Sequence, residues 1–369
     1  MGSPIRILHV VVNMNRGGAE TLIMNLYRNI DRSKIQFDFL TCKEGVFDKE
    51  IVEMGGKVHR IPYLTDGGHF AYLKNLDHFF ILNSQYKIVH SHMDKMSGFV
   101  LKAAKKAGIP VRIAHSHNTQ SEGGFAARLY KSYAGSYIRN SATHYLACSK
   151  LAANWLFKNN LKSTVLLQNG IDTQKFAYSK EVRDEVRKEL GLNKDCLVLG
   201  HVGRFNHQKN HAFLIDVFYE LHKQKPDAIL VLVGDGPLRS NIEDKVNKKK
   251  LDGKVKFLGV RSDIHCLLQA FDIFVFPSFH EGLPLTLIEA QGAGLPCVIS
   301  ENVSEEVDLG INLAKFLSIT DKEEWLNEIQ RICNEKATRK IPKQALAEQG
   351  YDIKNTAYLI NNFYLGLAR

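Results

Sequence analysis

The chain alternates short apolar runs with longer stretches in which apolar residues recur every three or four positions. Ile5–Val12 reads as a continuous apolar strand of the kind buried on both faces of a parallel sheet. A polar loop from Asn13 to Gly18 follows. Next comes a helix from about Ala19 to Ile30, with Leu22, Ile23, Leu26, Tyr27 and Ile30 on one face. The same alternation predicts strands at 35–41, 57–61, 87–91, 111–115, 143–147 and 163–167. Between them it predicts helices at 48–54, 70–83, 96–107, 125–140 and 149–159. Asn169-Gly-Ile-Asp172 breaks the rhythm, and the charged stretch Lys180–Lys194 comes after it, so a domain boundary is placed between 171 and 172. A second series runs through Leu197–Val202, Ala228–Val233, Val255–Leu258 and Ile273–Phe276 and ends near Pro296–Ser300. Helices such as His211–Lys223 and Arg239–Lys250 lie between its strands, and Tyr351–Leu367 reads as an amphipathic helix. Strands alternating with helices predict an α/β protein with doubly wound parallel sheets. The expected domains are 1–171 and 172–350, with 351–369 packing back onto the first. Ligands of such sheets bind beyond the C-terminal ends of the strands.

At 369 residues the chain is long for one core, which agrees with two domains. No apolar run approaches the ~20 residues of a membrane span. Ile7–Val12 is too short for a signal-peptide core, and Arg6 breaks a myristoylation pattern. The six cysteines are scattered with no Cys-x-x-Cys, which suits reduced thiols and a cytoplasmic location. The net charge of +10 asks for an anionic partner: lipid surface, nucleotide phosphate or nucleic acid. No zinc finger, basic zipper or RNA-binding signature occurs, so no nucleic acid is expected. Ala126–Asn140 carries Arg128, Lys131 and Arg139 with Tyr130, Tyr133 and Tyr137. That composition suits peripheral contact with the anionic inner face of a membrane, or an ordinary helix packed by its tyrosines.

The densest chemistry lies in Ser278–Gly294. A strand, Ile273–Phe276, leads into a turn holding Glu281, Gly282, Leu283 and Pro284, and a helix-like run that carries Glu289 follows to about Ala293. Gly282 lets backbone approach a ligand, Pro284 suits a first helical turn, and the helix start favours a phosphate. Eight helical residues span ~12 Å, beyond the ~5–9.5 Å of a hydrolytic carboxylate pair. Each acid is better matched to hydroxyls on a different part of one ligand. Gly203-Arg204 and Lys209 follow the first strand of the second series, where Arg by two-point contact and Lys as a point charge can neutralise a diphosphate. Gly234-Asp-Gly236-Pro-Leu-Arg239 starts like a dinucleotide fingerprint, but Arg239 stands where its third glycine belongs. His90-Ser-His92 and His115-Ser-His117 sit at strand ends, with Asp94 close by, and open a metal-dependent hydrolase as an alternative. The second half supplies no matching ligand cluster. No Asp-x-Asp occurs, so no divalent metal on paired aspartates is expected.

Taken together, these motifs resemble the retaining GT-B glycosyltransferases of family four, and among them bacterial exopolysaccharide and capsular polysaccharide enzymes. The resemblance spans nearly the whole chain. It rests on Gly17-Gly18-Ala-Glu-Thr, His115-Ser-His-Asn, Asn169-Gly-Ile-Asp172, Gly203-Arg204 with Lys209, Gly234-Asp-Gly-Pro237, and Glu281-Gly-Leu-Pro with Glu289. It implies two Rossmann-like domains facing across a cleft, a UDP-sugar or related donor, a glycan or lipid-linked glycan acceptor, and no cofactor or metal. By the same resemblance Glu289 would hold the ribose. Glu281 and the backbone of Gly282, Leu283, Pro284 and Leu285 would hold the sugar. Arg204 and Lys209 would stabilise the diphosphate, with Gly17, Gly18, Gly203 and Gly234 giving backbone room. Val260 and Arg261 would meet the base, and His115 would stand near the transferred sugar. A non-catalytic binder of the same fold is the second alternative.

Overall fold

The computed structural model describes residues 3–368 apart from 122, 159, 336–338 and 340–344. Glu122, in the loop before the predicted helix 125–140, and Asn159, the predicted end of helix 149–159, lie outside the described residues. The chain forms two compact units: Met1–Gly170 with Gly350–Arg369, and Ile171–Gln349.

The first unit is built on seven strands: β1 (Ile5–Val10), β2 (Ile35–Thr41), β3 (Val58–Arg60), β4 (Ile88–Ser91), β5 (Val111–Ser116), β6 (His144–Ala147) and β7 (Thr164–Leu166). Their order is β3-β2-β1-β4-β5-β6-β7, and every pairing is parallel. One face of the sheet is closed by Leu22, Ile23 and Leu26 of the helix Gly18–Asn29. Ile353, Ala357, Ile360 and Tyr364 join that cluster from the helix Ile353–Leu367, at the spacing of one helical face.

The second unit has six strands: β8 (Val198–Val202), β9 (Ile229–Val233), β10 (Val255–Phe257), β11 (Ile273–Phe276), β12 (Cys297–Ser300) and β13 (Ala314–Leu317). They lie in the order β10-β9-β8-β11-β12-β13, again all parallel. Leu214, Phe218 and Leu221 of the helix His211–Gln224 and Trp325 and Ile329 of the helix Lys322–Glu335 fill its core. In each sheet the strand order reverses once, between β1 and β4 and between β8 and β11. In open α/β sheets ligands bind at such a reversal, outside the C-terminal ends of the strands.

Several stretches differ from the sequence reading, among them the helix predicted at 70–83, which spans Leu64–Leu82. The charged segment Lys180–Lys194 contains the helix Lys180–Glu189, part of the second unit. Its Arg183 and Arg187, one turn apart, both hold Asp272 just before β11, at 2.5 and 2.7 Å. Its charge therefore serves an internal anchor. The second sheet does not stop near Ser300: β13 follows, an edge strand with Lys315 exposed. Helix 125–140 is broken into Phe125–Ser136 and Ile138–Ser141.

Candidate functional site

In the second unit the loops after β8 and β11 leave neighbouring strands at the reversal and lock onto each other. The Phe279 amide donates to the Gln208 carbonyl at 2.8 Å, and Gln208 Nε2 donates to the His280 carbonyl at 2.9 Å. His207 stacks on Phe279 with ring centroids 4.7 Å apart. This clamp brings Lys209 and Glu281 together, Nζ to Oε1 at 2.7 Å. The ammonium also lies 4.4 Å from the Phe276 ring centroid, which favours a cation. Arg204, on the same loop, is exposed.

The helix after this turn begins at Leu285, where Pro284 occupies the cap and no side chain caps it. Gly282, Leu283 and Leu285 are buried in the turn. Glu289 is 8 % exposed. Burial pushes its carboxyl up to about 7, against a smaller downward pull from Lys175.

The glycines here serve close packing. A Cβ on Gly234 would lie 2.1 Å from the Gly203 carbonyl oxygen, and its φ of 133° is a glycine conformation. A Cβ on Gly203 would lie 2.9 Å from His201 Nε2 and 3.1 Å from Lys209 Cδ, so this glycine makes room for the lysine stem. Val260 is exposed. Arg261, in the segment that the resemblance places at the base, is already engaged, with Asp263 at 2.5 Å and Glu189 at 3.1 Å.

In the first unit the reversal between β1 and β4 gathers five imidazoles: His9 from β1, His90 and His92 from β4 and the residue after it, and His115 and His117 from β5 and the residue after it. His9 Nδ1 meets His92 Nε2 at 2.9 Å, and His92 Nδ1 meets His117 Nε2 at 2.9 Å. Separately, Tyr364 Oη lies 2.6 Å from His90 Nδ1, and His90 Nε2 lies 3.2 Å from His115 Nδ1. Burial holds all five rings neutral: His9 and His117 fall to about 3, and the other three lie well below the usual histidine range. His115 is wholly buried, whereas His117 keeps part of its surface exposed. Of this pair, only His117 keeps surface at the end of β5.

Beside them, Asp94 adopts φ 46° and accepts from the His117 amide at 3.1 Å and from Asn118 Nδ2 at 2.6 Å. Glu20 folds back over Gly17, where a Cβ would fall 2.2 Å from its Oε2. Burial, helped by the charge of Asp94, raises the Glu20 carboxyl to about 6. Gly18 stays open, with nothing within 4 Å of where a Cβ would lie. Sequence reasoning passed over His9 and His201 because each sits inside an apolar strand run, and a polar residue there was the available signal.

The chain that carries these two strand-end clusters belongs to a recognised class. Residues 16–175 match the family described as Glycosyltransferase Family 4, and residues 182–349 match Glycosyl transferases group 1. The chain is 40% identical to the putative glycosyltransferase EpsF of Bacillus subtilis (strain 168), over 97% of this chain and 96% of that protein. It belongs to the GT-B glycosyltransferases and is a transferase enzyme. Among individual relatives, the UDP-Gal:alpha-D-GlcNAc-diphosphoundecaprenol alpha-1,3-galactosyltransferase of Escherichia coli is 26% identical over 99% of this chain and 98% of its own length. The fold matches Anabaena HepE, solved in complex with UDP-glucose, with a TM-score of 0.83 and 21% identity, covering 98% of this chain and 99% of that one. Both relatives matched in sequence are named glycosyltransferases, so the hydrolase alternative is not favoured.

Proposed function

We propose that the chain is a retaining, metal-independent glycosyltransferase that moves a sugar from a UDP-sugar to a hydroxyl of a polysaccharide or lipid-linked glycan in cell-surface polysaccharide synthesis. The observation that carries the reading is the Lys209–Glu281 pair at the β8/β11 reversal, beside the start of the helix Leu285–Gly292 and the buried Glu289. Lys209 and Arg204 take the diphosphate, Glu281 and the turn Gly282–Leu285 the sugar, and Glu289 the ribose hydroxyls. Val260 and the backbone at Arg261 meet the base. The open backbone at Gly18, at a helix start, is offered to phosphate, and His117 serves the acceptor side of the first unit. Cations fixed before the reaction stabilise the departing diphosphate without reorganisation. The names of the Escherichia coli relative and of the HepE complex support a UDP-linked donor. The test is binding of UDP-, GDP- and ADP-sugars to the purified chain, with turnover measured in EDTA. A UDP-sugar should bind best and EDTA should leave turnover unchanged. Absence of affinity for all three, or activity restored only by a metal, would overturn the reading.

A second, separable proposal concerns the membrane. In the helix Phe125–Ser136, Phe125, Leu129 and Tyr133 are exposed at successive turns, with Arg128 exposed beside them. Phe70 is exposed in the same unit at 85 %. Among the described residues no helix is long and apolar enough to cross a membrane. Apolar side chains one turn apart with a basic neighbour suit a helix lying in an anionic interface. Phe125→Ser with Leu129→Ser should weaken co-flotation with phosphatidylglycerol vesicles while leaving UDP-sugar binding intact. Flotation equal to that of the unsubstituted protein would count against the helix as the anchor.

A further inference from the structure

A cavity of about 500 Å³ opens in the second unit at the end of its sheet opposite the Lys209–Glu281 pair. Leu197 before β8, Ile273 at the start of β11 and Pro296 before β12 line it, so it lies at the N-terminal strand ends. Lys209 and Glu281 follow the C-terminal ends of β8 and β11. The five residues of β8, at about 3.3 Å each, set the two ends about 15 Å apart.

Five cations line this cavity: Arg183 and Arg187 of the helix Lys180–Glu189, Lys194 before β8, Lys225 after the helix His211–Gln224, and Arg339. Two carboxylates, Asp195 and Asp272, join them. Part of the charge has a structural reason. Asp272 holds Arg183 and Arg187 and also accepts the Val198 amide at 2.8 Å. The three arginines together cap the C-terminal end of the helix Ile264–Ala270. Arg339 donates to the Leu268 and Gln269 carbonyls at 2.9 and 2.7 Å, and Arg187 to that of Ala270 at 3.0 Å. Arg183 donates to Gln269 and Phe271, both at 2.9 Å. Carbonyls at a helix end amount to about half a negative charge, so with Asp272 they leave roughly one and a half positive charges on the arginines. Capping does not account for Lys194 and Lys225 either. They come from other elements, and neither holds a carboxylate among the described residues.

Arg339 registers the imbalance. Its guanidinium lies against the Tyr178 ring, 4.9 Å from the centroid. Burial, and then the charge of Arg183, pull it down to about 10, below the usual arginine range. It still carries its charge at neutral pH. Like charges gathered around one cavity repel each other, and an anion among them relieves the repulsion.

We propose that this cavity is a second anion site, separate from the donor site, that takes the phosphate group of a small soluble molecule. Its volume falls in the range of small-molecule sites, roughly 300–1,000 Å³. A phosphate carries about −1.5 to −2 at neutral pH, which matches a surplus greater than one; a single carboxylate does not. Arg183 and Arg187, fixed by Asp272, set the local potential. Lys194, exposed, and Lys225, half-buried, make the direct contacts. Tyr178, partly exposed, offers a flat wall to the uncharged part of the ligand.

The experiment is a calorimetric titration of full-length Lys209→Ala chain with pyrophosphate, so that the lysine of the donor site is absent. One pyrophosphate should bind per chain, with affinity falling as NaCl is raised at constant pH. Adding Lys194→Ala and Lys225→Ala should weaken that binding roughly 10- to 100-fold. In the unsubstituted chain, pyrophosphate should slow alkylation of Cys333, a partly exposed thiol in the cavity wall. Cys266, partly exposed in the same unit but outside the cavity, should react at an unchanged rate. Absence of pyrophosphate binding overturns the inference, as does binding that survives loss of both lysines. An unprotected Cys333 overturns it even where the lysine variant fails to fold. Protection by phosphatidylglycerol vesicles and not by pyrophosphate would make the phosphate a lipid headgroup and overturn the soluble ligand.

Discussion

Lys209→Ala should lower the rate of sugar transfer by roughly 100- to 1,000-fold, the loss typical of removing one preorganised group that stabilises developing negative charge. The geometry explains why the effect falls on the reaction. Lys209 is held from two sides, by Glu281 at 2.7 Å and by the Phe276 ring at 4.4 Å, so its charge is in place before any diphosphate forms. In the ligand-free chain the ammonium and carboxylate compensate each other, with side chains only 15% and 11% exposed. Taking the lysine away leaves the largely buried Glu281 without its cation, a stability cost of about 1–3 kcal/mol. Stability and activity then separate in a double substitution. Lys209→Ala with Glu281→Gln should recover most of the lost melting temperature and none of the lost turnover. Release of UDP from a UDP-sugar, followed alongside a thermal melt, measures both. Turnover in Lys209→Ala close to that of the unsubstituted protein would remove this lysine from the donor site.

That pair also shows where reading the sequence stops. The strands were legible because a strand buried on both faces must be apolar throughout, as Ile229–Val233 and Ile273–Phe276 are. β13 escaped because an edge strand can afford Lys315 in a run of four residues. The helix Lys180–Glu189 escaped because its arginines face inward onto Asp272, so charge there reports an anchor and not a solvated linker. Lys209 and Glu281 were each visible as candidates, but their contact depends on β8 lying beside β11, and strand order is a long-range property that local periodicity does not encode. The histidines make the same point more sharply. Two His-Ser-His pairs stand out in the chain. Yet which ring is sealed, and which of its nitrogens find partners, depends on His9 from another strand and Tyr364 from the far end of the chain.

Glu289→Gln should make the protein more stable at about pH 8 and a poorer binder of its donor, an opposition that only a functional buried acid explains. The Glu289 carboxyl is raised from 4.5 to about 7, chiefly by burial. Between those values the folded chain keeps a proton that the unfolded chain has released, so stability falls as pH rises through that window. Below it both states are protonated and the penalty vanishes; above about 7 the penalty is complete, at roughly 3 kcal/mol. Glutamine carries no such charge. The gain in melting temperature from Glu289→Gln should therefore be largest at alkaline pH and shrink toward zero near 4.5, the ordinary carboxyl value. Donor binding should move the other way. An ionised carboxylate accepting hydroxyls is worth about 1.5–3 kcal/mol more than no bond, so the substitution should weaken donor affinity by roughly 10- to 100-fold. For the unsubstituted protein the same logic makes donor affinity rise with pH through about 7 as Glu289 ionises. Calorimetric titration of the donor across that range, beside melts of both proteins, tests the two halves together. Unchanged donor affinity in Glu289→Gln, with or without the gain in stability, would show that the ribose is held elsewhere.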